Sequence, residues 1–316
     1  MYDNIDCVLY KDKVPILRTV SLLDYVPQFL EKTSNHYFNE GKDCAITGYL
    51  DNLKISVSNH AVKIKDSSLC KWWLKDNIGT MFRGDVQRSF EKISDLIHLP
   101  MVEAEVSRLD IANNLMLKYD SSLYYDSLGT MNNFKRSTLG TGLYYKGSNG
   151  MALFYDKLLD AKAKKVEIPS LYIGKNLLRF ERRYQSRICK QLNRSELKVK
   201  TLYEEAFYIE IINRWVDSYK SIIKIKDVKK IDYSMIKTKT ELYAQALLYY
   251  IESRGGLIAV LEEIKLAQKS GHLNKHQAQD LRNKYNEVSN HKLYVQDNEL
   301  ILELDSKINQ VKRHYR

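Results

Sequence analysis

The spacing of apolar residues changes near residue 195, and this change constrains the fold more than any other feature. Before it, segments such as DCAITGYL (43–50) and LKISVSNHAVKI (53–64) alternate with a period of two, which is typical of strands. After it, EEAFYIEIINRWVDSY (204–219) and TELYAQALLYYIES (240–253) repeat at helical spacing. The sequence therefore predicts an α+β protein. Residues 1–195 form a mainly antiparallel sheet domain with flanking helices, and residues 196–316 form a helical domain.

Individual elements follow from the same patterns. A turn at Asp51-Asn52 divides two strands, Gly255-Gly256 separates two helices, and we expect the tail KRHYR to be loosely held. The predicted strands lie at 5–10, 43–65 (two strands), 101–117, 142–147, 151–157 and 176–184, and the predicted helices at 82–97, 120–129, 204–219, 240–253, 256–271 and 273–285.

The charge of the chain favours a polyanionic partner. There are 50 Lys and Arg residues against 39 Asp and Glu residues, a formal charge of +11. Residues 161–200 include twelve basic residues and three acidic ones. We interpret this basic block as a set of phosphate contacts; the alternative is a solvated basic surface.

Several classes of protein are excluded by composition. The four cysteines are far apart and lie in no CxxC or Cys/His cluster, so neither a zinc site nor a disulfide framework is expected. The N-terminus, MYDNIDCVLYKDK, has no apolar core like that of a signal peptide, and no stretch is apolar enough to span a membrane. We expect a cytoplasmic protein without a membrane partner.

Two predicted strands carry charged residues on one face. Arg108 and Asp110 are two residues apart in VSRLDIANN, and Arg179, Glu181 and Arg183 alternate in LLRFERRY, so each set shares a face. These residues form either structural ion pairs or a site. In a site, Asp110 and Glu181 would bind Mg²⁺ or Mn²⁺, since such ions need only one or two carboxylates besides substrate phosphates.

A third strand offers a nucleophile. Tyr155 and Lys157 share a face in LFYDK, and an ammonium beside a phenol lowers its pKa. A tyrosine oxygen can attack a phosphodiester and keep the 5′-phosphate. Among 23 tyrosines, packing is the alternative role for any one of them. A His-hydrophobic-His run, which would bind a metal from one strand, is absent from the sequence. His272 and His276 are expected on the surface.

The order of these segments resembles the phage and plasmid replication proteins of the gene II/X family. FRGDVQRSFEKISDLIHLP, SRLDIANN, MALFYDKLLDAK and LLRFERRY match in sequence order, over about residues 75–190. The YDK and LRFE segments also resemble rolling-circle initiators of the Rep_trans class. The resemblance implies an enzyme that nicks one strand of a double-stranded origin, remains linked to the 5′ end and leaves a 3′-OH to prime synthesis.

The family motifs assign roles to matching residues. Tyr155 would be the nucleophile, Lys157 and Arg108 would assist catalysis, and Asp110 and Glu181 would bind the metal. Nearby tyrosines at 144, 145 and 184 compete for the nucleophilic role. DNA contacts are expected from Arg179, Arg182, Arg183, Arg187 and Lys190, and a host helicase is a further candidate partner.

Two other functions remain open on the residues alone. A non-enzymatic origin-binding or copy-control protein would share the basic block and need no nucleophile. A hydrolytic nuclease would use the same acids with water as the nucleophile.

Overall fold

The computed structural model describes residues 1–38, 43–76, 78–228, 236–291, 295–296 and 298–315. The strands are β1 Tyr2–Tyr10, β2 Glu31–Phe38, β3 Asp43–Leu50, β4 Leu53–Ser58, β5 Ala61–Ile64, β6 Glu105–Leu117, β7 Leu128–Met131, β8 Lys135–Leu139, β9 Gly142–Lys146, β10 Gly150–Asp156, β11 Asn176–Tyr184, β12 Ile222–Lys224, β13 Asp227–Val228 and β14 Val295–Gln296. The helices are α1 Leu22–Tyr25, α2 Leu69–Leu74, α3 Arg83–Ile97, α4 Leu123–Asp126, α5 Lys157–Ala163, α6 Ile188–Gln191, α7 Glu205–Lys220, α8 Lys239–Ser253, α9 Leu257–Lys269, α10 Lys275–Ser289 and α11 Glu299–His314.

Ten strands form one antiparallel sheet in the order β2-β3-β4-β5-β1-β6-β11-β10-β9-β8. The 13-residue strand β6 lies near its centre and pairs with β1 on one side and β11 on the other. Because β1 comes from the start of the chain and β11 from residue 176 onward, residues far apart in sequence meet on four neighbouring strands.

One face of these central strands is apolar and builds the core. The rings of Phe154 on β10 and Phe180 on β11 stack with centroids 4.4 Å apart. Trp215 of α7 packs on Phe180 and donates its indole N–H to the Phe180 carbonyl at 3.2 Å. Helix α3 buries Phe90 and Ile93 in the same core, in agreement with the helical spacing of its sequence.

The last helix of the chain returns to this core. Helix α11 buries Ile301, Leu304 and Ile308 in the cluster that contains the sheet residues. Its Asp305 accepts a hydrogen bond from the Tyr219 hydroxyl of α7 at 2.7 Å. The far end of the chain therefore completes the apolar layer beneath the sheet.

Helices α8, α9 and α10 have an apolar cluster of their own. It contains Leu248 and Ile251 of α8, Val260 of α9 and Val288 of α10. Side-chain caps begin α8 at Thr238 and α10 at Asn274. No helix within the described ranges combines the length and apolar character that a membrane crossing requires.

The α+β prediction is confirmed, as is the break at Gly255-Gly256, where both residues have positive φ. The predicted strand at 53–64 is wrong in one respect, because a turn at Asn59-His60 splits it into β4 and β5. The helix predicted at 120–129 is confined to Leu123–Asp126 and is followed by a strand, β7. The structure also contains elements that were not predicted: strands β2, β8 and β12–β14 and helices α1, α2, α5, α6 and α11. The division of the chain at residue 195 stays a prediction.

The tail is ordered through Tyr315, contrary to expectation. The Tyr315 ring packs against Phe82, with centroids 5.1 Å apart, and also lies near Tyr208. These aromatic contacts hold the end of α11 against the start of α3. Arg316 lies outside the described residues.

Candidate active site

The face of the central strands opposite the core is polar. The register places Asp110 of β6 between Asn4 of β1 and Arg183 of β11, and places Arg179 of β11 beside Tyr155 of β10. Antiparallel pairing sends directly opposite residues to the same face of the sheet. These strands and the start of α5 therefore bring the predicted catalytic and metal-binding residues together over a cavity of about 300 Å³.

Asp110 is buried and held by Arg108 on its own strand. The Arg108 Nε lies 3.0 Å from one carboxylate oxygen, and Nη2 lies 2.6 Å from the other. Burial, with a smaller contribution from the nearby Glu181, raises the pKa of Asp110 to about 7, although Arg108 opposes the change. A positive charge in addition to those of Arg108 and Arg183 would favour the ionised form of Asp110.

Glu181 is equally buried and is held by Arg183. The Arg183 guanidinium donates from Nε at 2.7 Å and from Nη2 at 3.2 Å to the two Glu181 oxygens. Its Nε also lies 4.0 Å from the Asp110 carboxylate. Arg183 thus links the two acids that the sequence predicts as metal ligands.

Tyr155 reaches this pair of acids. Its hydroxyl donates to Glu181 Oε2 at 3.4 Å, and the half-buried ring borders two adjoining cavities. The predicted lowering of the Tyr155 pKa is wrong for the free protein. Burial raises that pKa well above its ordinary value, and Glu181 adds to the rise, although Arg179 opposes it. The phenol therefore keeps its proton until a base accepts it.

Lys157 does not continue the strand, contrary to the prediction. Asp156 accepts a hydrogen bond from the Leu159 N–H and caps helix α5, which Lys157 begins. The turn still leaves Lys157 Nζ 5.7 Å from the Tyr155 ring centroid and 3.4 Å from Asp160. Burial lowers the pKa of Lys157, and Arg179 lowers it further.

Arg179 lies fully buried under the site. It donates to the carbonyl of Ile78 at 3.2 Å and to the side chain of Asn114 at 3.1 Å, and it pairs with Asp3 at 2.5 Å. Asn114 itself donates to the same carbonyl at 2.6 Å. Arg179 therefore supplies a fixed positive charge beside Tyr155 rather than an exposed phosphate contact.

Strand β1 contributes residues that the sequence reasoning missed. Asp3 and Asn4 border the cavity, and Asp6 is buried opposite Arg108. Burial raises the pKa of Asp6. Carboxylates within an apolar strand were the signal used for Asp110, and the same signal is present in YDNIDCVLY. Ser67, Ser68 and Lys164 also border the cavity.

The remaining DNA-contact candidates are separated by the structure. Arg182 points to the opposite face, where its guanidinium lies over the rings of Phe134 and Tyr184 and donates to two main-chain carbonyls. A buried guanidinium committed in this way is not available to phosphate. Arg187 is exposed immediately before helix α6, and Lys190 is exposed within it.

The basic block is likewise not a single surface. Lys198 and Lys200 both pair with Glu103, and Arg194 pairs with Glu210. Both acids lie outside the window in which the charge was counted. The members that stay exposed without a described acidic partner are Lys162, Lys165, Lys175, Arg187 and Lys190.

The competing tyrosines divide by face. Tyr145 is buried in the core and donates to the carbonyls of Leu128 and Gly129, and Tyr184 is also on the core face. Tyr144 alone of these three shares the face of Tyr155 and borders the adjoining cavity of about 440 Å³. The two histidines of α10 and its preceding turn, at positions 276 and 272, are exposed as predicted.

Asp110 and Glu181 suit a divalent cation that needs only one or two protein carboxylates. No group of three or more His, Cys, Asp and Glu residues suited to a metal is found in the part of the chain that the structure describes. Asp110 and Glu181 nevertheless offer hard carboxylate oxygens, and both border the same cavity. Mg²⁺ or Mn²⁺ commonly binds through one or two carboxylates, completed by water and phosphate oxygens.

Comparison with known families gives one match. The family of the phage gene II replication-associated protein, described by its N-terminal part, matches residues 1–218, which include β1, β6, β10 and β11. None of the curated proteins compared with the chain is significantly similar to it.

Proposed function

This chain belongs to the family of the phage gene II replication-associated protein, and on that basis we propose that it nicks one strand of a replication origin through Tyr155. The product is a DNA 5′ end linked to the tyrosine and a free 3′-OH that primes rolling-circle synthesis. The phosphotyrosine retains the energy of the broken bond, so the same site can rejoin the strand.

One observation carries the proposal. The Tyr155 hydroxyl lies 3.4 Å from Glu181, on the sheet face that also holds Asp110, and all three border one open cavity. Tyrosine placed for packing alone would be on the opposite face with Phe154 and Phe180. A nucleophile, a proton acceptor and an anchor for cations therefore occur together.

The transfer proceeds by exchange of one bond at phosphorus. As the Tyr155 oxygen bonds to phosphorus, its proton passes to Glu181, and the bond from phosphorus to the 3′ oxygen breaks. Lys157, whose pKa is lowered by burial, donates a proton to the departing 3′ oxygen. Solvent then restores both protonation states.

The arginines orient the acidic side chains and neutralise the negative charge that develops at the site. Arg108 and Arg183 fix the carboxylates of Asp110 and Glu181, while the buried Arg179 favours the phenolate that develops on Tyr155. A Mg²⁺ or Mn²⁺ ion bound by Asp110 and Glu181 would polarise the scissile phosphate.

The partner is DNA in two forms, the duplex origin and the nicked strand. Exposed members of the basic block, including Arg187 and Lys190, contact the backbone outside the cavity. We place this activity in the cytoplasm of a bacterial host. A host helicase is the proposed further partner, and helices α8–α10 are the region left for it.

The test uses supercoiled plasmid that carries the DNA flanking the coding sequence, incubated with the full chain and Mn²⁺. We expect a nicked circle with covalently attached protein, and mass spectrometry of the linked peptide should identify Tyr155. Retarded but uncut DNA would instead indicate a non-enzymatic binding protein.

The matched variants are Tyr155→Phe and Tyr144→Phe, since Tyr144 is the neighbouring tyrosine on the same face. Tyr155→Phe should abolish the adduct while Tyr144→Phe retains it. Cleavage that survives in Tyr155→Phe without any adduct would identify a hydrolytic nuclease.

A further inference from the structure

The loop between α5 and β11 displays two apolar side chains in water. Leu171 is 68% exposed and Ile173 is 69% exposed, among the highest values for large apolar residues of the described chain. Side chains of this size are usually at least partly covered, and adjacent exposed ones often mark a binding surface.

This loop has a defined conformation. The Val166 N–H donates to the Ala161 carbonyl at 2.9 Å, and a single turn of 3₁₀ helix covers Ser170–Tyr172. Inside the loop, Ile168 and Tyr172 pack on a small cluster of Ile78, Leu158 and Leu177. The inward residues anchor the loop, so Leu171 and Ile173 project from a supported turn.

The anchor connects the loop to the candidate active site. Leu177 shares a strand face with Arg179 and precedes it by two residues, and the Ile78 carbonyl accepts from Arg179. Helix α5, which leads into the loop, begins two residues after Tyr155. The exposed pair therefore stands at the end of the sheet where Tyr155 lies.

Charge around the pair suits a nucleic acid. Lys165 precedes the loop and Lys175 follows it, both exposed, with Glu167 the one acid between them, while Lys164 pairs with Asp160. A protein partner could use the apolar pair, but lysines on both sides of it favour a polyanion with apolar faces. Stacked bases between two phosphate backbones have that character.

The candidate active site also requires such a contact. Tyr155 is half-buried at a cavity of about 300 Å³, so its hydroxyl is recessed from the protein surface. Enzymes that act on recessed DNA must first unpair or unstack it, and apolar side chains inserted between base steps are one means of doing so.

We propose that Leu171 and Ile173 form a wedge that inserts between base pairs next to the nick site and opens the duplex for Tyr155. This inference rests on the proposed nicking function. It assigns to the loop the separation of strands, a role distinct from the chemistry of the acids and the tyrosine.

The test compares two substrates that differ only in pairing. One is a relaxed linear duplex spanning the mapped nick site, and the other has the same sequence with a non-complementary bubble at that site. The double variant Leu171→Ser/Ile173→Ser should lose about tenfold or more of the nicking rate on the duplex and no more than about twofold on the bubble. Leu266→Ser, in a similarly exposed residue (63%) on α9, is the matched control and should change neither rate.

A second measurement removes cleavage from the assay. In a Tyr155→Phe background, 2-aminopurine beside the nick site should brighten when protein binds the duplex, and the double variant should suppress the rise. Equal losses on duplex and bubble, or no loss on either, would overturn the wedge. So would a variant that changes only the sedimentation mass, because that result assigns the pair to a protein contact. Wild-type protein that cuts neither substrate would contradict the nicking function itself.

Discussion

The two faces of strands β6, β10 and β11 differ in character, since one is apolar and the other carries buried charges. On one face, Phe154, Phe180 and Trp215 exclude water and stabilise the sheet through area and packing. On the other, Asp110 and Glu181 are nearly as buried, yet each needs an arginine to remain there. Alternate residues of the same strands thus contribute apolar packing, which stabilises the fold, and buried charge, which is unfavourable to bury.

The difference bears on the location of the proposed site. Buried charge is unfavourable unless compensated, so its concentration over one cavity is not explained by stability. The raised pKa of Asp110 is a direct expression of that cost. Substitutions on the two faces should accordingly separate activity from stability.

The largest effect is expected at Glu181. Glu181→Gln keeps the shape of the side chain but removes the charge that accepts the Tyr155 proton and pairs with Arg183. Nicking should fall by about a hundredfold or more, as for loss of a general base. Single-turnover cleavage of origin DNA measures it, and circular dichroism should report an intact fold. Unchanged cleavage would remove Glu181 from the chemistry.

The neighbouring residue tests the other face. Phe180→Ala removes a ring packed between Phe154 and Trp215 and should reduce the free energy of unfolding by about 3–5 kcal/mol. Urea unfolding gives the value. Activity should persist under conditions where the variant remains folded. Selective loss of nicking in a fully folded Phe180→Ala protein would contradict the division between the faces.

A smaller effect should appear in the pH dependence of stability. The pKa of Asp110 is raised from 3.8 to about 7 on folding, so the folded protein binds a proton that the unfolded chain releases within that window. The contribution of Asp110 to stability is therefore present in acid and is lost as pH rises through about 7.

Asp110→Asn, neutral at every pH, should flatten this dependence and be more stable than wild type above the window, by about 1–2 kcal/mol. Urea unfolding of both proteins on either side of the window, without divalent cation, provides the comparison. Parallel pH profiles for the two proteins would mean that Asp110 carries no such shift.

The smallest effect is expected outside the cavity. Arg187→Ala/Lys190→Ala removes two exposed charges and should weaken DNA binding a few-fold, with a salt slope reduced by about 2 if each contacts one phosphate. Fluorescence anisotropy across a salt series measures both. Lys198→Ala/Lys200→Ala is the matched control, because both lysines already pair with Glu103. An equal effect of the two double variants would assign the basic block a uniform role.

Much of the fold could be predicted because periodicity is a local property. The alternation in VSRLDIANN and LLRFERRY predicted that Arg108 shares a strand face with Asp110, and Arg179 with Glu181. Both predictions agree with the strands of the structure. The register between strands is not local. Only the pairing of β6 with β11 places Arg183 opposite Asp110, and the sequence of neither strand predicts this register.

Other differences have identifiable physical causes. Lys157 was assigned to the strand predicted at 151–157, whereas the Asp156 cap ends that strand and starts a helix. Arg182 was counted with the phosphate contacts on charge alone, although its position in the alternation already placed it with Phe180. Charge counts along a sequence do not distinguish the faces of a strand.

Helix α11 has a consequence for how the protein is made. The apolar core beside β6 is completed by Leu304 and Ile308, which follow the end of β6 by more than 180 residues. The nascent sheet therefore keeps part of its apolar surface uncovered until α11 has been translated. Chaperones that bind emerging chains would find a long-lived target in the surface that α11 later covers.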